Sequence, residues 1–596
     1  MGHHSLPDDS AATGTGARPR PRPRRRTVTI ATAVALAVAA GSVVALRSDL
    51  LPFGTPCGGS SVEVNVVASP DIAPALDTVA KKARDDATRT DGKCLDVRVH
   101  ARPANEVADS LGQRPASPEF QVWIPDSSLW VERVADEGGS SLTTAGTIAS
   151  SPITLGAVPS AAKALGWPGK TYTWAALTRA ATSGSALRLG VADPTRSATG
   201  LLALARTDAA NHKEAKDGDE AAGRTAATAE LLYERVADGD RQALATLPRD
   251  DSAAEQRNPR RNQALLLSEQ AAYAHNTTAG GPTLDLLYPE DGAAQLDYPY
   301  TLVNNEELTA DQSRAANRFM TLLDDTDGQR TLRGHGFRSG NGTPDPKPIG
   351  AAGGRGPQPY AAAPADPPPV RELKALLGMW TVTVHSTRIT TAVDVSAATA
   401  LPVPGKGGRS RLDLAKDSLL QTLNTFTPDD EVGLWKFAAY LDGTKDYVEL
   451  SPTGRLGDRG ATGGTHRDEL ATALRSLTPV PRAAGLYDTM LAAYRQARAT
   501  YASGKFNALV IVTDAAHDDS GGIGQDTLVA DLERLSDTER PVPLIAVAIG
   551  PNADQAALDR MVSPTGGSAH LVGDPSQLRQ VILKALTAAG SHGPHH

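Results

Sequence analysis

The residues in this chain with the clearest chemical potential are oxygens. Asp394 and Ser396 lie two apart, so a carboxylate and a hydroxyl share one turn, and Asp514 follows a second apolar run. Oxygen ligands of this kind suit a hard divalent cation such as Mg²⁺ or Mn²⁺. A second group comprises Ser69, Asp126, Ser127, Ser150 and Ser197, with Ser128 beside them. Each follows an apolar run and stands before a helical pattern. A helix start offers unpaired N–H groups and a partial positive charge, so these hydroxyls suit an anion or a polar solute. Each also suits the simpler role of N-cap, worth about 1 kcal/mol to its helix.

The elements that must carry these groups alternate strand and helix. Runs at 62–67, 95–99, 121–124, 187–192 and 284–288 read as strands. A helix is expected from Ile72 to about Ala83 and another from Ser197, and 207–260 reads as a charged, solvated helical insert. This rhythm predicts a mainly parallel sheet with helices on both faces. Residues 344–372 are dense in Pro, Gly and Ala and read as a semi-rigid linker. A second rhythm follows, with strands at 389–394, 432–437, 508–513, 544–550 and 569–572. Helices near 412–423, 486–497, 527–535 and 577–586 separate or close them, as in a doubly wound domain. In such a sheet the ends of 389–394 and 508–513 are where ligands sit, which is where Asp394 and Asp514 fall.

The N-terminus predicts location. Residues 27–46 run twenty positions without a charge, directly after Arg18, Arg20, Arg22, Arg24, Arg25 and Arg26. That length spans a bilayer core and the arginines stay cytoplasmic, so a single-pass anchor is expected, with residues 1–26 a disordered inner tail and the bulk outside. A cleaved signal peptide ending near Ala37-Val38-Ala39 is the rival reading. Cys57 and Cys94 are the only cysteines. In an exported chain they read as one disulfide, with two buried free thiols as the alternative.

Composition excludes some functions. A net charge of -8 and 4% aromatic residues leave neither a basic footprint nor a stacking surface for nucleic acid. There is no Gly-x-Ser-x-Gly elbow, phosphate-cradling Gly-rich loop with lysine, or His-Glu-x-x-His. Histidines are scattered, among them His275, His385, His517 and His570. No enzyme is expected.

Two resemblances sharpen these expectations. The region 52–343 resembles bacterial extracellular solute-binding proteins, two-lobed receptors that close on a ligand. The residues that carry it are Val67–Pro70, Val122–Ser128, Asp193–Gly200, Leu267–Ala271 and the hinge-like Ile148–Pro152. The region 373–590 resembles a von Willebrand factor A domain, through Trp380, Thr391–Ser396, Asp430–Phe437, Gly485–Asp488 and Val510–Asp514. That family implies a metal-ion-dependent adhesion site of Asp-x-Ser-x-Ser, a Thr and a second Asp. Asp394, Ser396 and Asp514 match it, but Ala398 and Ala484 stand where two oxygen ligands belong, and Ala515 replaces the usual Gly. A weakened cation site and a metal-free, protein-binding domain both follow from that pattern.

The combination, of a type found in actinobacteria, implies an extracytoplasmic binding protein. It would sense a small solute or cell-wall component and hold a protein partner through the A domain. A transporter's receptor and an envelope enzyme are the alternatives.

Overall fold

The computed structural model describes residues 60–112, 118–182, 187–278, 281–384, 386–460, 463–514, 521–550 and 553–590. The proposed anchor 27–46, Cys57, His385, Ala515 and His517 lie outside them.

The N-terminal module contains strands β1 (Ser61–Ala68), β2 (Arg89–Thr90), β3 (Lys93–Ala101), β4 (Val122–Ile124), β5 (Leu142–Thr147), β6 (Ala149–Ala157) and β7 (Leu189–Ala192). It continues with β8 (Val236–Ala237), β9 (Ala264–Ser268), β10 (Asp285–Leu287), β11 (Gln295–Leu296), β12 (Pro299–Val303) and β13 (Arg338–Ser339). They form two sheets. The first runs β2-β3-β1-β4-β12-β5, and the second runs β10-β6-β9-β7-β8, with β11 and β13 also paired to β6.

Both sheets are mixed, which corrects the expectation of a mainly parallel one. β1 is parallel to β3 and β4, but β12 is antiparallel to β4 and β5, and β6 is antiparallel to β9. Four of the strands with antiparallel partners, β5, β6, β11 and β12, flank the points at which the chain changes sheet. β5 of the first sheet passes to β6 of the second through Ile148 alone, and Asp297 and Tyr298 return it from β11 to β12. The Ile148 N–H donates to the Tyr298 carbonyl at 3.3 Å, so the two crossings lie side by side. Two adjacent crossings between separate sheets form a hinge, which allows one lobe to rotate against the other.

The helix expected from Ser197 is Ala198–Glu214, and its residues from Ala198 to Ala205 are all buried, so it is core to the second lobe. Its alanines and leucines allow close packing on every side. The stretch 207–260 is only partly solvated, since Ala210, Ala229, Leu232, Ala243 and Leu247 are buried against that core.

The Pro-rich stretch is docked rather than free. The Gln358 side chain donates to the carbonyls of Pro168 (2.7 Å) and Lys170 (2.8 Å) and accepts from Tyr288 N–H (3.2 Å). Ala365 N–H donates to Ala293 O at 2.9 Å. One buried amide thus anchors a segment whose prolines supply no donors of their own. The helix Val370–Val384 follows, touching Ala198–Glu214 and Gly218–Tyr233 of the second lobe and Leu578–Gly590 at the chain's far end. Trp380 is fully buried there, edge-on to Tyr233. Gly378 lies so close to the Thr587 carbonyl that a Cβ would clash.

The C-terminal domain has one sheet of β14 (Thr387–Asp394), β15 (Glu431–Asp442), β16 (Lys445–Arg455), β17 (Phe506–Thr513), β18 (Leu544–Ala548) and β19 (Ser568–Leu571), ordered β16-β15-β14-β17-β18-β19. All neighbours are parallel except β16, an antiparallel edge strand that sequence reading missed. β17 is buried along its whole length, as expected of a central strand covered on both faces. Strand order reverses between β14 and β17, which brings Asp394 and Asp514 together. Among the described residues no helix is long and apolar enough to cross a membrane.

Candidate functional site

The two lobes enclose a cleft of about 780 Å³, within the range of pockets that hold small organic ligands. The first lobe lines it with the turns after β1 and β4. Ser69 N–H donates to the Ile124 carbonyl (2.9 Å), tying the two strand ends together, and its own carbonyl accepts from Ile72 and Ala73. The Ser69 side chain does not cap the helix Ala73–Asp85. It is 3% exposed, faces the cleft, and its hydroxyl has no hydrogen-bond partner among the described residues.

Asp71 accepts from Ile72 N–H (2.9 Å) and from the Tyr298 hydroxyl. Asp126 accepts from Trp130 Nε1 at 2.8 Å. The second lobe adds Asp240, at the start of the helix Asp240–Ala245, held by the Ser197 hydroxyl at 2.9 Å.

These three aspartates set the electrostatics. Burial pushes the Asp71 carboxyl up to about 6, with the Asp240 charge adding to it. Burial also carries Asp126 well above the usual carboxylate range, reinforced by Asp71 and Asp240. Asp240 is raised by burial too, though the Ser197 and Thr199 hydroxyls pull it down. Among the described residues no Lys or Arg forms an ion pair with any of the three. Arg196 lies with Asp238, 4.0 Å away.

The structure divides the serines read as cleft ligands. Ser69 and Asp126 line the cleft. Ser127 is buried and caps the helix Ser128–Asp136, accepting from Leu129 N–H at 3.4 Å. Ser150 sits on β6 beside the hinge and donates to the Ser339 carbonyl at 2.8 Å. Ser197 accepts from Gly200 N–H at 3.2 Å as an N-cap and reaches the site only through Asp240. Ser127 and Ser150 therefore have structural roles, because local hydrogen bonds use their oxygens. Sequence reading missed Asp71 and Asp240. Asp71 had a signal, lying two residues past Ser69 at the same strand end, whereas Asp240 sat in a stretch read as solvated.

At the top of the C-terminal sheet, Asp394 accepts from Ser396 N–H (2.7 Å), the Thr513 hydroxyl (3.0 Å) and Asp514 N–H (3.1 Å). The Ser396 hydroxyl is buried and without a partner among the described residues. The Asp514 carboxylate forms an ion pair with Arg411, and both side chains are largely buried, at 5% and 14% exposed. Gly550 lies against Asp514, where any Cβ would overlap the carboxylate. This set does not fit a resident Mg²⁺ or Mn²⁺. A guanidinium already balances the second carboxylate, and Ala398 and Ala484 offer no side-chain oxygen. Among the described residues no group of three or more His, Cys, Asp or Glu is placed to hold a metal.

Cys94 is buried on β3, level with Ser61 of β1. Its proposed partner Cys57 lies outside the described residues.

Residues 64–338 match the family model of bacterial extracellular solute-binding proteins. Uncharacterized proteins from two strains of Mycobacterium tuberculosis, CDC 1551 / Oshkosh and H37Rv, are 26% identical over 538 residues, covering 86% of this chain and 74% of theirs. Among solved structures, a ferric binding protein from Campylobacter jejuni overlaps 54% of this chain and 99% of its own at 11% identity, with a TM-score of 0.38. A von Willebrand factor type A structure from Catenulispora acidiphila overlaps 35% of this chain and 43% of its own at 14% identity, with a TM-score of 0.27.

Proposed function

We propose that this chain is an extracytoplasmic solute-binding protein, tethered through residues 27–46, in which a ligand held between the two N-terminal lobes is sensed and relayed to the C-terminal domain. The observation that carries this reading is the cleft of about 780 Å³, lined by polar side chains of both lobes across a double-crossing hinge. A ligand touching both walls stabilises the closed arrangement by its differential affinity for it. The match of residues 64–338 to extracellular solute-binding proteins supports the same role.

The C-terminal domain, read as von Willebrand A type, would bind a protein partner without a resident cation, Arg411 supplying the positive charge beside Asp514. Sensing is favoured over simple delivery to a transporter because the helix Val370–Val384 packs against both modules. An enzymatic role has less support. Among the described residues, no cleft serine or threonine is hydrogen-bonded to a histidine, the pairing that would activate a nucleophile.

Hydrogen exchange of the full chain in detergent micelles tests the reading. Addition of a small-molecule extract from the growth medium should protect residues 69–75 and 239–245 together, because they face one another across the cleft. Unchanged exchange in both segments would sink it.

A further inference from the structure

Three carboxylates from two lobes line this cleft, and among the described residues no Lys or Arg forms an ion pair with them, although Arg196, which lies with Asp238, and Arg241 also border it. The groups that reach them are neutral donors: the Tyr298 hydroxyl to Asp71, Trp130 Nε1 to Asp126 and the Ser197 hydroxyl to Asp240. All three aspartates are partly buried at the cleft wall, and drawing a carboxylate even partly out of water is unfavourable unless an opposite charge or a proton compensates. Ser69 is an independent sign. Its hydroxyl is almost wholly buried at the cleft wall, without a partner among the described residues, although the adjacent helix start was available for it to cap. A buried hydroxyl left unsatisfied is destabilising, and a ligand donor or acceptor would recover that loss.

A bare metal ion is the poorer candidate, since among the described residues no group of three or more His, Cys, Asp or Glu is placed to hold one. An anion would meet three aspartates, against two arginines of which Arg196 already lies with Asp238. A compact organic cation offers several N–H donors directed at separate carboxylates, and its carbon body suits a cleft far larger than an ion.

We propose that the cleft binds a small organic cation bearing a primary ammonium or guanidinium group, seated between Asp71 and Asp126 of one lobe and Asp240 of the other, with Ser69 completing its hydrogen bonds. The inference rests on the solute-binding reading and names its ligand class. Because the cationic group links aspartates of both lobes, it also supplies the force that closes them.

The test is calorimetric titration of the full chain in micelles with arginine, putrescine and ethanolamine, and with glutamate, phosphate and glucose in parallel. At least one of the three cations should bind, and the others should not. Asp126→Asn should weaken binding by roughly tenfold or more, the weight of one hydrogen bond to a charged group. Ser69→Ala, a change too small to threaten folding, should weaken it by several-fold. Binding of glutamate, phosphate or glucose with none of the cations would overturn the cation inference and leave solute binding intact. Equal cation affinity in Asp126→Asn and the parent would overturn it as well. If no compound binds and the exchange experiment is also flat, both readings fall.

Discussion

The guanidinium of Arg338 grips the carboxylate of Glu269 through two hydrogen bonds, Nε to Oε1 at 2.8 Å and Nη2 to Oε2 at 2.6 Å. Arg338 lies on β13 and Glu269 begins the helix Glu269–Thr278, so the pair ties the returning chain to the second lobe beside the hinge. The Tyr288 hydroxyl adds a third bond, at 2.5 Å to Oε2. Both charged side chains are buried, at 8% and 2% exposed. Removing one partner of a buried pair leaves an uncompensated charge. Arg338→Ala should therefore lower the unfolding free energy of this module by about 3–5 kcal/mol in denaturant titration. The double change Arg338→Met with Glu269→Leu should cost much less than the single one.

Arg411 holds the place that a cation would need at the C-terminal sheet. The parent chain should show no change in melting temperature between Mg²⁺ and a chelator. Arg411→Ser should be less stable, because Asp514 then lies buried beside Asp394 without a counter-charge, and Mg²⁺ should restore part of the loss. A clear Mg²⁺ stabilisation of the parent chain, read by scanning calorimetry, would contradict the metal-free reading.

The cleft should also respond to pH. Asp71 keeps its proton to about pH 6 when folded, against an ordinary value of 3.8. Between those values the folded state binds more protons than the unfolded one, so the empty cleft loses stability as pH rises through the window. A bound organic cation favours the ionised carboxylate and displaces that proton. Its affinity should therefore climb as pH rises through this window, by up to roughly tenfold from Asp71 alone, and Asp71→Asn should make the climb shallower, with Asp126 and Asp240, also raised, supplying what is left. Calorimetry at several pH values measures both slopes.

Gln358 predicts the behaviour of the Pro-rich stretch. Its amide joins three backbone groups of the second lobe, so Gln358→Ala strands buried partners at a cost of about 1–3 kcal/mol. In the parent, residues 352–366 should resist limited proteolysis. In the variant they should be cut first, with the two modules released as separate fragments.

Some of this architecture could be read from local pattern. β1, β3, β14 and β17 are apolar runs bounded by turn residues, and the helix Arg411–Leu423 repeats its leucines at helical spacing. β16 escaped because Lys445–Arg455 is an exposed edge strand, and one face of an edge strand carries no apolar signal. The docking of the Pro-rich stretch escaped too, since composition reports stiffness and not what a segment meets.

By itself the sequence determined the alternation of strands and helices, though not β5, β6, β9, β12 or β16, and the oxygen-bearing turns at Ser69, Asp126, Asp394 and Asp514. Periodicity and turn chemistry act over a few residues, so they are visible in one dimension. Tertiary structure alone decided which of those oxygens meet. It sent Ser127 and Ser150 into local hydrogen bonds and left the buried Ser69 hydroxyl at the cleft wall without a partner among the described residues. It brought Asp240 from the far lobe to Asp71 and Asp126, and set Arg411 against Asp514, more than a hundred positions away. Charge and desolvation depend on distance through space, which the spacing of residues along a chain does not encode.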